Sequence, residues 1–159
     1  MGSLEHYKFV YDEAVRGIEG QREAVDEIRS RCGILLSAAA ILAGFLGPDA
    51  LKQGAQPIGV GVAAFALVLT VAPTVFILLP TRGWAFTLGT QKLLADYVET
   101  DPPASMEELY RSIAWYLEID WEENRKMLKR RYNLFSIAAG GLVGEILGLL
   151  IAIAFRSST

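Results

Sequence analysis

A long apolar run, residues 134–155, restricts the fold of this chain more than any other feature. It holds about 22 residues, enough for a helix to cross the roughly 30 Å hydrocarbon core of a bilayer. One ionisable residue, Glu145, lies near its middle. A charged side chain at that depth costs at least about 2.5 kcal/mol, so it is expected to face protein or water rather than lipid. The run therefore predicts a membrane protein whose last helix packs against other helices.

Two further apolar runs precede this one. The first candidate span, residues 32–46, is only about 15 residues long and would cover about 22 Å as a helix. The second, residues 58–79, is long enough to cross, and the stretch from Gly47 to Pro57 is predicted to form the turn between them. Three long apolar runs, with Glu145 as their one charged residue, leave too little polar surface among 159 residues for a soluble bundle. We therefore predict an all-α integral membrane protein with three transmembrane helices.

Composition and charge argue against several classes of function. The chain is 52% hydrophobic, and its charged residues are concentrated in two tracts, 4–31 and 82–131. A net charge of −3 argues against binding to a nucleic-acid polymer. Cys32 and His6 are the sole cysteine and histidine, so neither an internal disulfide nor a metal site is expected. The sequence contains no phosphate-binding glycine loop, serine elbow or clustered carboxylate motif, so we expect no enzymatic activity and no cofactor.

Basic residues near the predicted membrane ends indicate the orientation. They precede the first span, follow the second and precede the third, at Arg29, Arg31, Arg82, Arg125, Lys126, Lys129, Arg130 and Arg131. The loop between the first two spans carries only Lys52, and the residues after the third span only Arg156. The positive-inside rule then places the N-terminus and the central charged tract in the cytoplasm and the residues after the third span outside, in a multi-pass protein. Because the first apolar run begins late, it is expected to act as its own insertion signal.

The charged tracts are predicted to be helical. The expected parts are a cytoplasmic N-terminal helix (1–31), a transmembrane hairpin (32–80), a cytoplasmic helical region (81–133) and the third transmembrane helix (134–155). In the N-terminal helix, buried-type residues alternate by four and three, the heptad spacing of a coiled coil. This seam consists of Tyr7, Tyr11, Ala14, Ile18, Gln21, Val25, Ile28 and Cys32.

The second charged tract is predicted to begin one very long helix. Ser105 and Glu108 have the spacing of a capping box, and no helix breaker follows, so a single helix is expected from Met106 to Phe155. Its cytoplasmic half is expected to pack on the N-terminal helix as a stalk. The stalk either couples a cytoplasmic event to the membrane or is a solvated structural element.

Glu145 and its neighbours form the first candidate site. Gly140, Gly144 and Gly148 recur every four residues, which allows close approach of helix backbones. Glu145 lies next to this strip. It is either a buried carboxyl hydrogen-bonded to a neighbouring helix or part of a polar lining that is exposed when several copies assemble. The hydroxyls expected to serve as its partners belong to Ser37, Thr70 and Thr74.

A basic cluster before the third span forms the second candidate site. Arg125, Lys129 and Arg130 either anchor the helix to anionic lipid headgroups or bind an anion such as a phosphate. The first interpretation follows from the positive-inside pattern, and the second requires arginines from neighbouring stalks.

The layout resembles a known group of bacterial proteins. A cytoplasmic helix with Asp26, Arg29 and Arg31 at its end leads into a membrane hairpin, and Asn124 precedes the last span. This arrangement is similar to the Pycsar-type transmembrane effectors of anti-phage defence and to the related SLATT-domain proteins. The resemblance implies an oligomeric membrane effector that responds to a cyclic nucleotide and impairs the inner membrane. The alternatives are a membrane scaffold and an accessory subunit of a channel or transporter.

Overall fold

The computed structural model describes residues 4–52, 55–80, 84 and 90–155, and it contains no strand among them. The helices are α1 (Leu4–Ala50), α2 (Pro57–Leu78), α3 (Thr90–Leu93) and α4 (Met106–Ala154), and a π-helical segment, Leu94–Val98, follows α3. Three of these helices, α1, α2 and α4, are long and apolar enough to cross a membrane. The predicted all-α class with three membrane-length helices is therefore confirmed. Insertion and orientation remain predictions, and the basic residues Arg82 and Arg156 lie outside the described residues.

The described residues fall into two compact units. We call the first, residues 4–25, 84 and 90–129, the polar unit, because it carries most of the two charged tracts. The second, residues 26–52, 55–80 and 130–155, contains all three apolar runs, and we call it the apolar unit. Helices α1 and α4 contribute residues to both units, whereas α2 belongs to the apolar unit alone.

The heptad seam predicted for the N-terminal helix is the face that α1 buries. In the polar unit, Ile18 forms a core cluster with Ile113 and Leu117 of α4. The Tyr11 and Tyr110 rings pack nearby, with their centroids 5.3 Å apart. In the apolar unit the seam continues to Cys32, which is fully buried. The four-and-three spacing thus predicted the packed face correctly.

The end of α1 differs from the expectation. The helix continues through Gly47, Pro48 and Asp49, which were predicted to form a turn, and it ends at Ala50. Proline removes one backbone donor, but the next turn still closes because Leu51 N donates to Gly47 O at 3.0 Å. Ala50 is buried in a cluster with α2 and α4, which stabilises this last turn. The helix therefore extends four residues beyond the predicted first span, 32–46, although the added residues include the charged Asp49.

Helix α4 begins as the sequence predicts. Glu108 N donates to Ser105 Oγ at 3.2 Å, so Ser105 caps the helix. The helix continues without interruption to Ala154, one residue short of the predicted end. Every seventh position of α4 from Leu117 to Ala152 is buried, and we call this series the seven-residue row: Leu117, Asn124, Arg131, Ala138, Glu145 and Ala152.

Candidate functional site

The apolar unit is built around a very close contact between α2 and α4. A Cβ built on Gly148 would lie 2.5 Å from Ala63 N, and one built on Gly59 would lie 2.5 Å from Ala152 N. A Cβ on Gly141 would lie 2.7 Å from Thr70 Oγ1. These distances leave no room for a side chain, so the two backbones pack directly against each other. Such contacts between small residues hold helices together where no hydrophobic driving force acts.

The glycines that contact α2 differ at one position from the predicted strip of Gly140, Gly144 and Gly148. Gly148 lies in the contact, and a Cβ built on Gly144 would lie 3.2 Å from Ala66 Cβ. Gly140 is exposed, and a Cβ built there would meet no described atom within 4 Å. Gly141 makes the contact instead, because α4 meets α2 with a repeat of seven residues rather than four. Gly140 is therefore not part of the helix packing among the described residues.

Glu145 lies inside this packed region. Its residue exposure is 2%, and its Oε2 has no hydrogen-bond partner among the described residues. The hydroxyls expected to serve as its partners bond to their own helices: Ser37 Oγ donates to Gly33 O at 3.0 Å, Thr70 Oγ1 to Ala66 O at 3.0 Å and Thr74 Oγ1 to Thr70 O at 2.6 Å. The expectation that these residues bind Glu145 is wrong. The carboxyl is buried without the stabilisation that a hydrogen bond would provide.

A small cleft opens beside Glu145. Its volume is about 210 Å³, and its walls are small or aliphatic residues of all three helices, including Ala43 of α1 and Ala64 and Leu67 of α2. Glu145 is the one ionisable group among the described residues that line it. A carboxyl facing an apolar cleft can form an ion pair with a positive ligand or accept a hydrogen bond from a donor.

No protein-family model, curated protein or solved structure matches this chain. Within the described ranges, no group of three or more His, Cys, Asp or Glu side chains has the arrangement of a metal site.

Arg131 is a buried residue that sequence reasoning assigned only to the general basic cluster. It is 5% exposed, and its Nη1 donates to Ile77 O at 2.8 Å. Ile77 lies in the last turn of α2, where carbonyl groups have no partner within the helix. Arg131 therefore caps α2 and ties it to α4. One sequence signal could have distinguished Arg131 from the other basic residues of the cluster. It lies seven residues after Asn124, on the same face of α4, and Asn124 is fully buried.

The residues predicted to bind an anion are all exposed. In the polar unit, the Arg125 guanidinium lies 5.3 Å from the Trp121 ring centroid and 3.7 Å from the Glu122 carboxylate. Lys129 is exposed in the same unit. In the apolar unit, the Arg130 guanidinium lies 5.5 Å from the Phe76 ring centroid. These positions fit contacts with lipid headgroups as well as with a soluble anion.

The polar unit also has an apolar groove that sequence reasoning missed. It has a volume of about 640 Å³ and lies between α1 and α4. Phe9 and Trp115 line it and are 65% and 70% exposed. Below it, Gln21 Nε2 donates to Trp121 O at 2.9 Å, which fixes the two helices together. The groove presents a large apolar area on the more charged of the two units.

Proposed function

We propose that the protein is a membrane effector of bacterial anti-phage defence that perturbs the inner membrane after a cytoplasmic signal. In this proposal the apolar unit spans the membrane three times, with the N-terminus in the cytoplasm. Three membrane-length helices support the location. The segregation of basic residues supports the orientation.

The observation that carries the proposal is the burial of Glu145 without a partner at Oε2. An ionisable group in a membrane helix is costly, and it is retained where it serves a pathway or a switch. In the resting form, Glu145 is enclosed by α1, α2 and α4. When several copies assemble, α4 shifts along its contact with α2 and exposes the carboxyl to water. Gly140 is exposed and leaves space for a helix of a second copy.

The signal enters through the polar unit. We propose that an anionic ligand, a cyclic nucleotide by the resemblance noted above, binds Arg125 and Lys129 of the polar unit, contributed by neighbouring copies. Their exposure leaves their charged groups accessible to such a ligand. The same residues contact lipid headgroups when no ligand is present.

Expression in a bacterial host tests the proposal. A membrane-potential dye should report depolarisation, and growth should stop, once the protein is activated by its signal or by high expression. Glu145→Leu should abolish both effects, whereas Glu123→Leu, the same change at an exposed position of α4, should leave them intact. Depolarisation that persists in Glu145→Leu at equal protein level would exclude Glu145 as the output element.

A scaffold or accessory subunit is the second candidate, and the groove beside Phe9 and Trp115 favours it. Exposed aromatic residues on a helical face are suited to holding a partner protein. A scaffold causes no depolarisation at any dose. An accessory subunit changes the flux of a partner transporter and is inert alone, so the same dye measurement separates these classes.

A further inference from the structure

The cleft beside Glu145 has the properties of a small ligand site. It combines apolar walls with the carboxyl group of Glu145, a buried residue whose Oε2 has no partner among the described residues. Ala64, which lines the cleft, is exposed on α2. At about 210 Å³, the cleft lies below the roughly 300 Å³ at which sites for drug-sized ligands begin. The ligand must therefore be small.

The chemistry of the cleft selects the kind of ligand. A neutral apolar molecule would contact the apolar walls but leave the buried carboxyl without a partner. A buried polar group without a hydrogen bond is costly in free energy. An inorganic cation such as Ca²⁺ takes about six to eight oxygen ligands. Glu145 is the one carboxylate among the described lining residues, and the Thr70 and Thr74 hydroxyls donate to their own helix. A cation with an apolar body satisfies both the walls and the carboxyl.

We propose that this cleft binds a small organic ammonium ion, whose apolar body contacts the walls and whose charged nitrogen pairs with Glu145. The walls are mostly apolar and lower the local dielectric constant, so the ion pair is stronger than it would be at the protein surface. The ammonium group pairs with the carboxylate of Glu145, the ionisable residue among the described residues that line the cleft. This site does not depend on the effector function, because it requires only the resting arrangement of α1, α2 and α4.

The test uses the full chain purified in a neutral maltoside detergent, with phenethylammonium as the probe. Phenethyl alcohol is the matched neutral compound, because it has the same aromatic body and lacks the charge. Isothermal titration calorimetry should show saturable binding of the ammonium ion and about tenfold or weaker binding of the alcohol, as expected for loss of one charged hydrogen bond.

Three variants locate the site. Glu145→Gln keeps the side-chain shape and should weaken phenethylammonium binding by about tenfold or more. Ala64→Phe, at an exposed position of the cleft wall, should abolish binding by filling the cleft. This variant tests the location of the site if Glu145→Gln does not fold. Glu123→Gln removes an exposed carboxylate of α4 outside the cleft and should change nothing. The proposal is overturned by equal affinity for the alcohol, by the absence of saturable binding, or by full binding in Ala64→Phe.

Discussion

Gly148 and Ala63 lie so close together that no side chain fits between α4 and α2 at this level. A Cβ built on Gly148 would lie 2.5 Å from Ala63 N and 2.8 Å from its Cα. The obstacle is backbone rather than a flexible side chain, so it cannot move aside without separating the helices. The stability of the apolar unit therefore depends on glycine at this position.

We expect Gly148→Ala to destabilise the protein. The added methyl group forces α2 and α4 apart, and overpacking of this kind costs about 1–3 kcal/mol in the free energy of unfolding. Gly140→Ala is the matched control, because a Cβ there meets no described atom within 4 Å and alanine favours the helix by up to about 1 kcal/mol. Thermal unfolding in detergent, followed by circular dichroism, measures both.

The pair of variants also reports on assembly. Equal destabilisation by Gly140→Ala and Gly148→Ala would contradict the packing described for the single chain. A stable Gly140→Ala protein that no longer depolarises cells would instead place Gly140 in a contact between copies.

Arg131→Met should lower stability by about 1–3 kcal/mol, the cost of leaving a buried hydrogen-bonding group without its partner. The variant removes the bond from Arg131 Nη1 to Ile77 O while it keeps most of the side-chain volume. Arg130→Met, at the exposed neighbouring position, should stay within about 0.5 kcal/mol of the original protein. Chemical unfolding in mixed micelles compares the two, and a larger loss for Arg130→Met would refute the capping role.

Asp120 makes stability depend on pH. Burial, and then the nearby Glu123 carboxylate, raise the pKa of Asp120 above its ordinary value of 3.8. As pH rises, this carboxyl ionises in the unfolded chain first, so the folded chain holds more protons and its stability falls. The contribution is most favourable below pH 3.8 and is lost progressively as the pH rises through the folded-state pKa.

Asp120→Asn should remove this part of the pH dependence and make the protein more stable at neutral pH. Asp12→Asn, at an exposed position of α1, controls for the loss of one negative charge. Melting temperatures measured from mildly acidic to neutral pH test the prediction. Parallel curves for the Asp120→Asn variant and the original protein would show that Asp120 does not contribute.

Glu145 should react with a carbodiimide that dissolves in lipid. The cleft beside it is lined mostly by apolar residues, so dicyclohexylcarbodiimide, which is itself apolar, is expected to reach this carboxyl more readily than a water-soluble reagent. Mass spectrometry of the α4 peptide should show the adduct in the original protein and none at this position in Glu145→Gln. A water-soluble carbodiimide should label exposed carboxyl groups such as Glu123 instead. The reverse pattern would mean that Glu145 faces water.

Regular spacing made much of the fold predictable from the sequence. The four-and-three alternation from Tyr7 to Cys32 gave the buried face of α1, and the absence of breakers after Ser105 gave the full length of α4. The buried face of α1 and the length of α4 were predictable because each depends on the spacing of residues within one helix. Pro48 was taken as part of a turn because local propensity favours one there, but packing of Ala50 against α2 and α4 keeps the helix intact.

The candidate site was less predictable because it depends on how helices meet. Gly140 and Gly141 are both glycine, and only the position of α2 decides which one makes the contact. The hydroxyl of Thr70 could have reached across to α4, yet it bonds to the carbonyl four residues earlier, as threonine often does in helices. Glu145 was identified as unusual from its surroundings in the sequence, whereas its cleft required three helices to be placed together.

The seven-residue row of α4 restricts how the length of this helix can change. One inserted residue between Arg131 and Glu145 would turn the following part of the helix by about 100°. Arg131 would then keep its bond to Ile77 while Glu145 was turned away from its cleft, or Glu145 would keep its place while Arg131 was turned away from Ile77. Seven inserted residues would return Glu145 to nearly the same face of the helix, but they would move it about 10.5 Å along the axis and out of its cleft. The number of residues between Arg131 and Glu145 is therefore fixed by the geometry of the helix, in addition to the chemical requirements on each of the two residues.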